Sequence, residues 1–182
     1  MSNSKPLLVV ALPGEVDWVQ MPSNLDTLIT GMGPINATHE LTRHLMCARP
    51  SFILNVGTSG SVNPDYNSGV YAIEQVSSFH HPPPGNLLNE HAPINLPTSF
   101  MFRPCKCSSA AHFVEDIPKE VHLVDMELYS LAWVAAKFAV PLYSLKVVSD
   151  GGDVDSFAEG VAEARAKLTK AALAELKTLG FG

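Results

Sequence analysis

The sequence predicts an α/β fold, a mixed, largely parallel central sheet flanked by helices, and three observations carry that expectation. Short apolar runs rich in β-branched residues alternate with segments of helical periodicity from one end of the chain to the other. Two of those runs pass directly into glycine- and serine-bearing turns, Gly31-Met32-Gly33 and Gly57-Thr58-Ser59-Gly60. The last ~25 residues read as one amphipathic helix.

Leu7 to Leu12 is a short apolar run ended by Pro13-Gly14, which predicts a buried strand feeding a loop that carries Glu15. Thr27 to Thr30 predicts the next strand. The two glycines that follow permit a tight backbone turn, and Pro34 suits the first turn of a helix running to Arg49, which Pro50 closes. Ser51 to Val56 reads as another buried strand running into a loop at Gly57-Thr58-Ser59-Gly60-Ser61. Val70 to Val76 is a further strand, and Ser77 to Cys107, with Pro82-Pro83-Pro84 and little periodicity, reads as irregular loop walling a site. Val121 to Asp125 predicts a strand and Met126 to Val140 a buried helix stopped by Pro141. Leu142 to Val148 is the last strand, opening on Ser149-Asp150-Gly151-Gly152-Asp153. In the final helix Ser156 and Glu159 form a capping box, Phe157, Val161, Leu168, Ala172, Leu176 and Leu179 recur at helical spacing, and Gly180 ends it.

A length of 182 residues with 46% apolar content suits one core, so residues 1–182 are expected to form a single domain. A net charge of −6 and scattered Lys and Arg argue against nucleic acid or an anionic membrane surface as partner. No run approaches the length of a membrane span, and the apolar run after Pro6 is too short for a signal peptide, so a cytoplasmic protein is expected. Three cysteines do not make a disulfide framework and are expected to be free thiols.

Open sheets of this type bind ligands beyond the carboxyl ends of their strands. Glu15, Gly31-Met32-Gly33, Gly57 to Gly60, Asp125-Met126-Glu127 and Ser149-Asp150 all follow predicted strands, which would gather carboxylates and backbone N–H groups around one crevice. Each has a plainer reading beside the functional one. Gly31-x-Gly33 could open a dinucleotide fingerprint, but the third glycine position is Asn36, and a tight strand-to-helix turn is favoured. Asp150-Gly151-Gly152-Asp153 could serve only as a turn, and Glu127 only to complement a helix dipole. His80 and His81 read as solvated loop histidines, and Cys105-x-Cys107 with His112 lacks the second pair that would argue for zinc.

Taken in order, five segments resemble the nucleoside phosphorylase superfamily and, within it, the methylthioadenosine/S-adenosylhomocysteine nucleosidases. They are residues 9–16 (VVALPGEV), 30–37 (TGMGPINA), 54–60 (LNVGTSG), 124–127 (VDME) and 147–153 (VVSDGGD). The resemblance implies a three-layer nucleoside phosphorylase-like fold and assigns roles position by position. It makes Glu15 the carboxylate that activates the attacking water and Asp150 the acid that protonates purine N7. Met126 and Glu127 would hold the ribose, with Gly57, Thr58 and Ser149 beside the nucleophile and substrate, Phe113 against the base and Phe157 toward the 5′ substituent.

Cleavage of an N-ribosidic bond suits these residue types in its own right. Oxocarbenium character builds on the sugar and negative charge on the departing base, so one carboxyl protonates the base while another activates water. Phosphate-using relatives carry an arginine where this chain has Asn55, and its arginines (Arg43, Arg49, Arg103, Arg165) fall outside the predicted site loops, which favours hydrolysis over phosphorolysis. The stretch between Gly57 and Asp125 is short and proline-rich relative to the nucleosidases, and the region from Ser108 to Phe113 is compressed. The expectation is therefore a purine nucleosidase needing neither cofactor nor metal, acting on a small-molecule nucleoside as a homodimer or larger homo-oligomer. A phosphate-dependent phosphorylase and a non-catalytic nucleoside-binding protein stand as alternatives.

Overall fold

The computed structural model describes residues 4–67, 69–79, 92–99, 101–112, 114, 117, 121–150 and 154–181, with the backbone alone for residues 150 and 154–159. Eight strands form one mixed sheet among these residues. Strand β1 (Leu7–Val10) pairs in parallel with β2 (Asp26–Ile29) on one side and β3 (Ile53–Gly60) on the other. Strand β3 runs parallel to β8 (Leu142–Asp150), which is antiparallel to β4 (Val70–Ser78). Strand β4 carries the short β5 (Ile94–Asn95) on one side and the parallel β6 (Arg103–Ser109) on the other. Strand β7 (Leu123–Asp125) lies parallel to β6 and returns to β3, antiparallel, with Gly60 opposite Val124. Strands β3, β8, β4, β6 and β7 thus close into a ring, with β1 and β2 extending from it.

Three layers follow from alternation. Leu7 and Val9 of β1 join the core under α1 (Pro34–Cys47) and α2 (Leu128–Lys137), with Leu41, Leu45 and Leu131. Leu8 and Val10 join the opposite core, built with Leu54, Val56, Leu145 and Val147 against Leu168, Ala172 and Leu176 of α3 (Val154–Thr178). A strand buried on both faces reads as an unbroken apolar run, which is why β1, Leu-Leu-Val-Val, is so plain in the sequence.

Four elements depart from the sequence expectation. Gly57 to Gly60 is not a loop but the second half of β3, in register with Lys146 to Asp150 of β8. At Gly57 the site leaves little room for a side chain: an added Cβ would lie 3.1 Å from both Glu15 Oε1 and Lys146 Nζ. Residues 77–107 are not all loop either: β4 extends to Ser78, and β5 and β6 follow. In β6 the inward alternation is carried by Cys105 and Cys107, small apolar side chains between the exposed Arg103, Pro104 and Lys106. Helix α2 stops at Lys137, with Ala139 in the left-handed region (φ 52°), rather than running on to Val140. Helix α3 starts at Val154, so Ser156 lies inside it and not at its N-cap.

Candidate active site

The ends of β1, β3 and β7 meet at one cleft. It has an open volume of about 530 Å³, including the part that faces solvent, and is lined by Ala11, Glu15, Met32, Thr58, Ser59, Gly60, His112, Val114, Ile117, Val124, Asp125, Met126 and Glu127. A purely parallel sheet is not what gathers these groups. Strand β7 runs against β3, and the ring closure lays its C-terminal end across the C-terminal end of β3.

Glu15 ends a single 3-10 turn (Pro13–Glu15) directly after β1 and is almost completely buried, at 2% exposure. Its Oε2 accepts from the backbone N–H groups of Ala11 at 2.8 Å and Leu12 at 2.9 Å. Its Oε1 accepts from the Thr58 N–H at 3.0 Å and the Thr58 hydroxyl at 3.4 Å. Four donors on two oxygens fit an ionised carboxylate, which is acceptor-only. The Thr58 hydroxyl makes the longest of these contacts and can rotate away, leaving a lone pair of Oε1 for a water in the cleft.

Glu127 caps α2, yet its side chain leaves its own helix and accepts the Gly33 N–H through Oε1 at 2.6 Å. Gly31 and Gly33 both have positive φ, 78° and 91°, and this turn is what aims the Gly33 amide at the carboxylate. The N–H that a dinucleotide phosphate would use is therefore already taken by Glu127. Burial first, and then the neighbouring Asp125 carboxylate, push the Glu127 carboxyl up to about 7; Lys146 and the Gly33 amide pull against that shift.

Asp125 is the hub of the polar network. One of its oxygens accepts from the Ser109 hydroxyl, which in turn accepts from the Tyr129 N–H at 2.9 Å. The other takes the Leu128 N–H at 3.0 Å, capping α2, and the Lys146 ammonium at 2.7 Å. Lys146 is 2% exposed; burial draws its pKa down, but the Asp125 and Glu127 carboxylates outweigh that and hold it above the ordinary lysine value.

The structure brings Glu15, Thr58, Met126 and Glu127 together in the cleft, with Gly57 immediately beneath Glu15. Ser149 sits on β8, its hydroxyl donating to the Ser59 carbonyl at 3.5 Å. The backbone of Asp150 ends β8 opposite Gly60, at the cleft's edge, while its side chain, the side chain of Phe157, all of Phe113 and the pair His80 and His81 lie outside the described residues. Sequence reasoning missed Lys146 and Ser109 as parts of the network. The signal for the first was present, a lone charge in the otherwise uncharged strand Leu-Tyr-Ser-Leu-Lys-Val-Val.

No cationic anion pocket accompanies these carboxylates among the described residues. Asn55 is turned into the protein interior, donating to the Val9 carbonyl at 3.2 Å and accepting from the Ser144 hydroxyl at 2.9 Å. Arg43 pairs with Glu40, Arg49 donates to the Phe138 carbonyl, Arg103 to the Asp65 carbonyl, and Arg165 lies 3.6 Å from Asp17. Cys105 and Cys107 are buried thiols, pushed up to about 12 and well above the ordinary value respectively, chiefly by burial. Among the described residues no three His, Cys, Asp or Glu converge as metal ligands, and no helix is long and apolar enough to cross a membrane.

No protein-family model and no curated protein matches the chain. Solved structures do. A nucleosidase (MTAN) from Chlamydia trachomatis superposes with a TM-score of 0.79 at 19% identity, over 96% of this chain and 98% of that one. The MTA/SAH nucleosidase of Streptococcus pneumoniae, solved with 8-aminoadenine, gives 0.81 at 17% identity, over 95% and 99%. The 5′-methylthioadenosine/S-adenosylhomocysteine nucleosidase of Helicobacter pylori, solved with butyl-thio-DADMe-Immucillin-A, gives 0.77 at 19% identity, over 97% and 100%. The chain is similar to these proteins along nearly its whole length and shares their nucleoside phosphorylase-type fold.

Proposed function

We propose that this chain is a nucleosidase, a single-domain enzyme that hydrolyses the N-ribosidic bond of an adenosine-like purine nucleoside. The observation that carries the reading is the meeting of Glu15, Asp125 and Glu127 in one cleft, on a fold shared with nucleosidases, with all four arginines engaged elsewhere. A cleft lined by buried carboxylates suits a reaction whose transition state is a sugar cation. In this reading a water bound at Glu15 Oε1 attacks the anomeric carbon and gives its proton to Glu15. The bond to the base breaks, its electron pair leaves with the purine, and Asp150 supplies the proton to N7. Glu127 accepts hydrogen bonds from ribose hydroxyls, and Met126 packs against the sugar.

Hydrolysis is preferred to phosphorolysis because phosphate needs a fixed cationic pocket. Lys146, the one cation in the carboxylate network described here, is committed to Asp125. The 5′-thio-substituted nucleosides named for the similar structures are the first substrates to try. We further propose a cytoplasmic homo-oligomer. In support, Met32 on the cleft rim is 43% exposed, and Ile35 and Met46 of α1 are 83% and 75% exposed.

The test is base release from methylthioadenosine, S-adenosylhomocysteine, adenosine and inosine, followed chromatographically with and without phosphate, beside an Asp150→Asn variant. The expected result is release at a rate indifferent to phosphate and reduced about 10²- to 10⁴-fold in the variant. Phosphate-dependent release would establish a phosphorylase. Ligand-induced thermal stabilisation without any release would establish a binding protein.

A further inference from the structure

We propose that Lys146 is a positioning residue of this site: its buried ammonium, held by Asp125 and set across Gly57 from Glu15, fixes how negative charge is shared between Glu15 and Glu127. The inference rests on the nucleosidase reading and concerns a residue that touches no solvent-facing part of the cleft.

The geometry begins with register. Lys146 of β8 is the cross-strand partner of Gly57 in β3, so the two positions face the same side of the sheet. Its strand neighbours Leu145 and Val147 point the other way, into the core under α3. Gly57 has no side chain to occupy its place, and the Lys146 ammonium fills that place from one side while Glu15 Oε1 fills it from the other, each 3.1 Å from where a Cβ would stand. The two charges therefore lie within twice that distance of one another. From β7 comes Asp125, 2.7 Å from the ammonium, from the turn into α2 comes Glu127, and from β6 comes the neutral Cys107 thiol. Glu15 enters from the 3-10 turn after β1, and His112 stands on the cleft wall.

One cation, paired with Asp125, thus lies among three buried carboxylates. Burying charge without a partner is costly, so the excess must be relieved by protonating one of them. Glu15 has four donors and Asp125 has the ion pair, whereas Glu127 has the single Gly33 amide, and it is the Glu127 carboxyl that is raised toward neutrality. Lys146 pulls the pH at which that proton leaves downward, against burial and the Asp125 carboxylate. With the proton gone, Glu127 is ready to grip ribose hydroxyls, so the acid limb of the kcat/KM profile follows it.

The experiment compares Lys146→Gln, Asp125→Asn and the double variant with the wild-type protein. It uses the pH profile of base release and a 13C titration of glutamate side-chain carboxyls in the ligand-free protein. Loss of the cation is expected to move the acid limb and the Glu127 titration up by about one unit or more, loss of the Asp125 charge to move both down, and the double variant to restore them near the wild-type position. A single variant that folds with its titration unmoved, a shift of the opposite sign, or a double variant displaced like Lys146→Gln would overturn the proposal. So would failure of all three variants to fold, which would make the pair purely structural. If wild-type protein releases no base, the nucleosidase reading fails, and the carboxyl titration still judges Lys146 alone.

Discussion

Replacing Glu15 by glutamine tests the site through the hydrogen bonds it would leave unmade. The carboxylate receives donors at 2.8, 2.9, 3.0 and 3.4 Å, and an amide nitrogen can receive none. The least damaging placement puts the amide nitrogen at the Oε1 position. There the Thr58 hydroxyl can turn to accept from it, but the Thr58 N–H loses its partner, at a cost of about 1–3 kcal/mol for a buried donor. The two bonds kept at the Oε2 position pass from charge-assisted to neutral, which costs roughly 1 kcal/mol more. One negative charge also leaves the cluster, which relieves Glu127 and offsets a part. The expected destabilisation is about 2–4 kcal/mol, and in a chain of this size that lowers Tm by on the order of 10 °C. Base release is expected to fall about 10²- to 10⁴-fold with the loss of the base. Urea unfolding and a chromatographic assay on the same preparation read both effects. A variant within ~0.5 kcal/mol of wild type, the spread of ordinary surface changes, would refute the acceptor-only network, and full activity would refute the role of Glu15.

At Gly160, α3 packs tightly on β8: an added Cβ would stand 2.0 Å from the Ser149 carbonyl oxygen and 2.7 Å from its carbon. Gly160→Ala must push helix and strand apart, so a loss of about 3 kcal/mol or more is expected in thermal melts, and an unchanged Tm would show that the contact is not that tight. Glu127→Gln keeps an acceptor for the Gly33 N–H while removing the proton that titrates. Because the folded-state carboxyl is raised from 4.5 to about 7, its stabilising protonation is fully present below about pH 4.5 and is lost as pH rises through 7. The stability of Glu127→Gln relative to wild type should therefore grow between pH 5 and pH 8, by up to about 1.4 kcal/mol for each unit in that window; parallel urea midpoints at the two pH values would contradict it.

The layers of the fold were legible because β1, β3 and β8 are buried on both faces and helix α3 keeps strict periodicity for 25 residues. The ring was not. Its closing strands β6 and β7 are short or disguised, β6 by a Pro and alternating Arg, Lys and Ser around two cysteines, and periodicity cannot announce that a strand comes back to pair with another far from it in sequence. At the site, Glu15, Thr58, Met126 and Glu127 were legible because each directly follows an apolar run, although Thr58 still belongs to the strand. Lys146 is harder to place because it lies mid-strand, away from the strand ends where site residues gather; its lone charge marks it as unusual without saying what it faces. Its importance is set by Asp125, which approaches from a strand outside the local sequence.

The five-strand ring behaves like a hoop fastened by a narrow clasp. Gly60 against Val124 is the one paired position described between β3 and β7, with the Ser61 hydroxyl on the His122 carbonyl at 2.7 Å beside it. Thr58 to Gly60 on one side of the clasp, and Val124 to Glu127 on the other, are also cleft walls. A molecule seated in the cleft therefore rivets the hoop shut, and its grip is felt by strands it never meets: amide exchange should slow in β4 and β6, on the far arc, as soon as the cleft is filled.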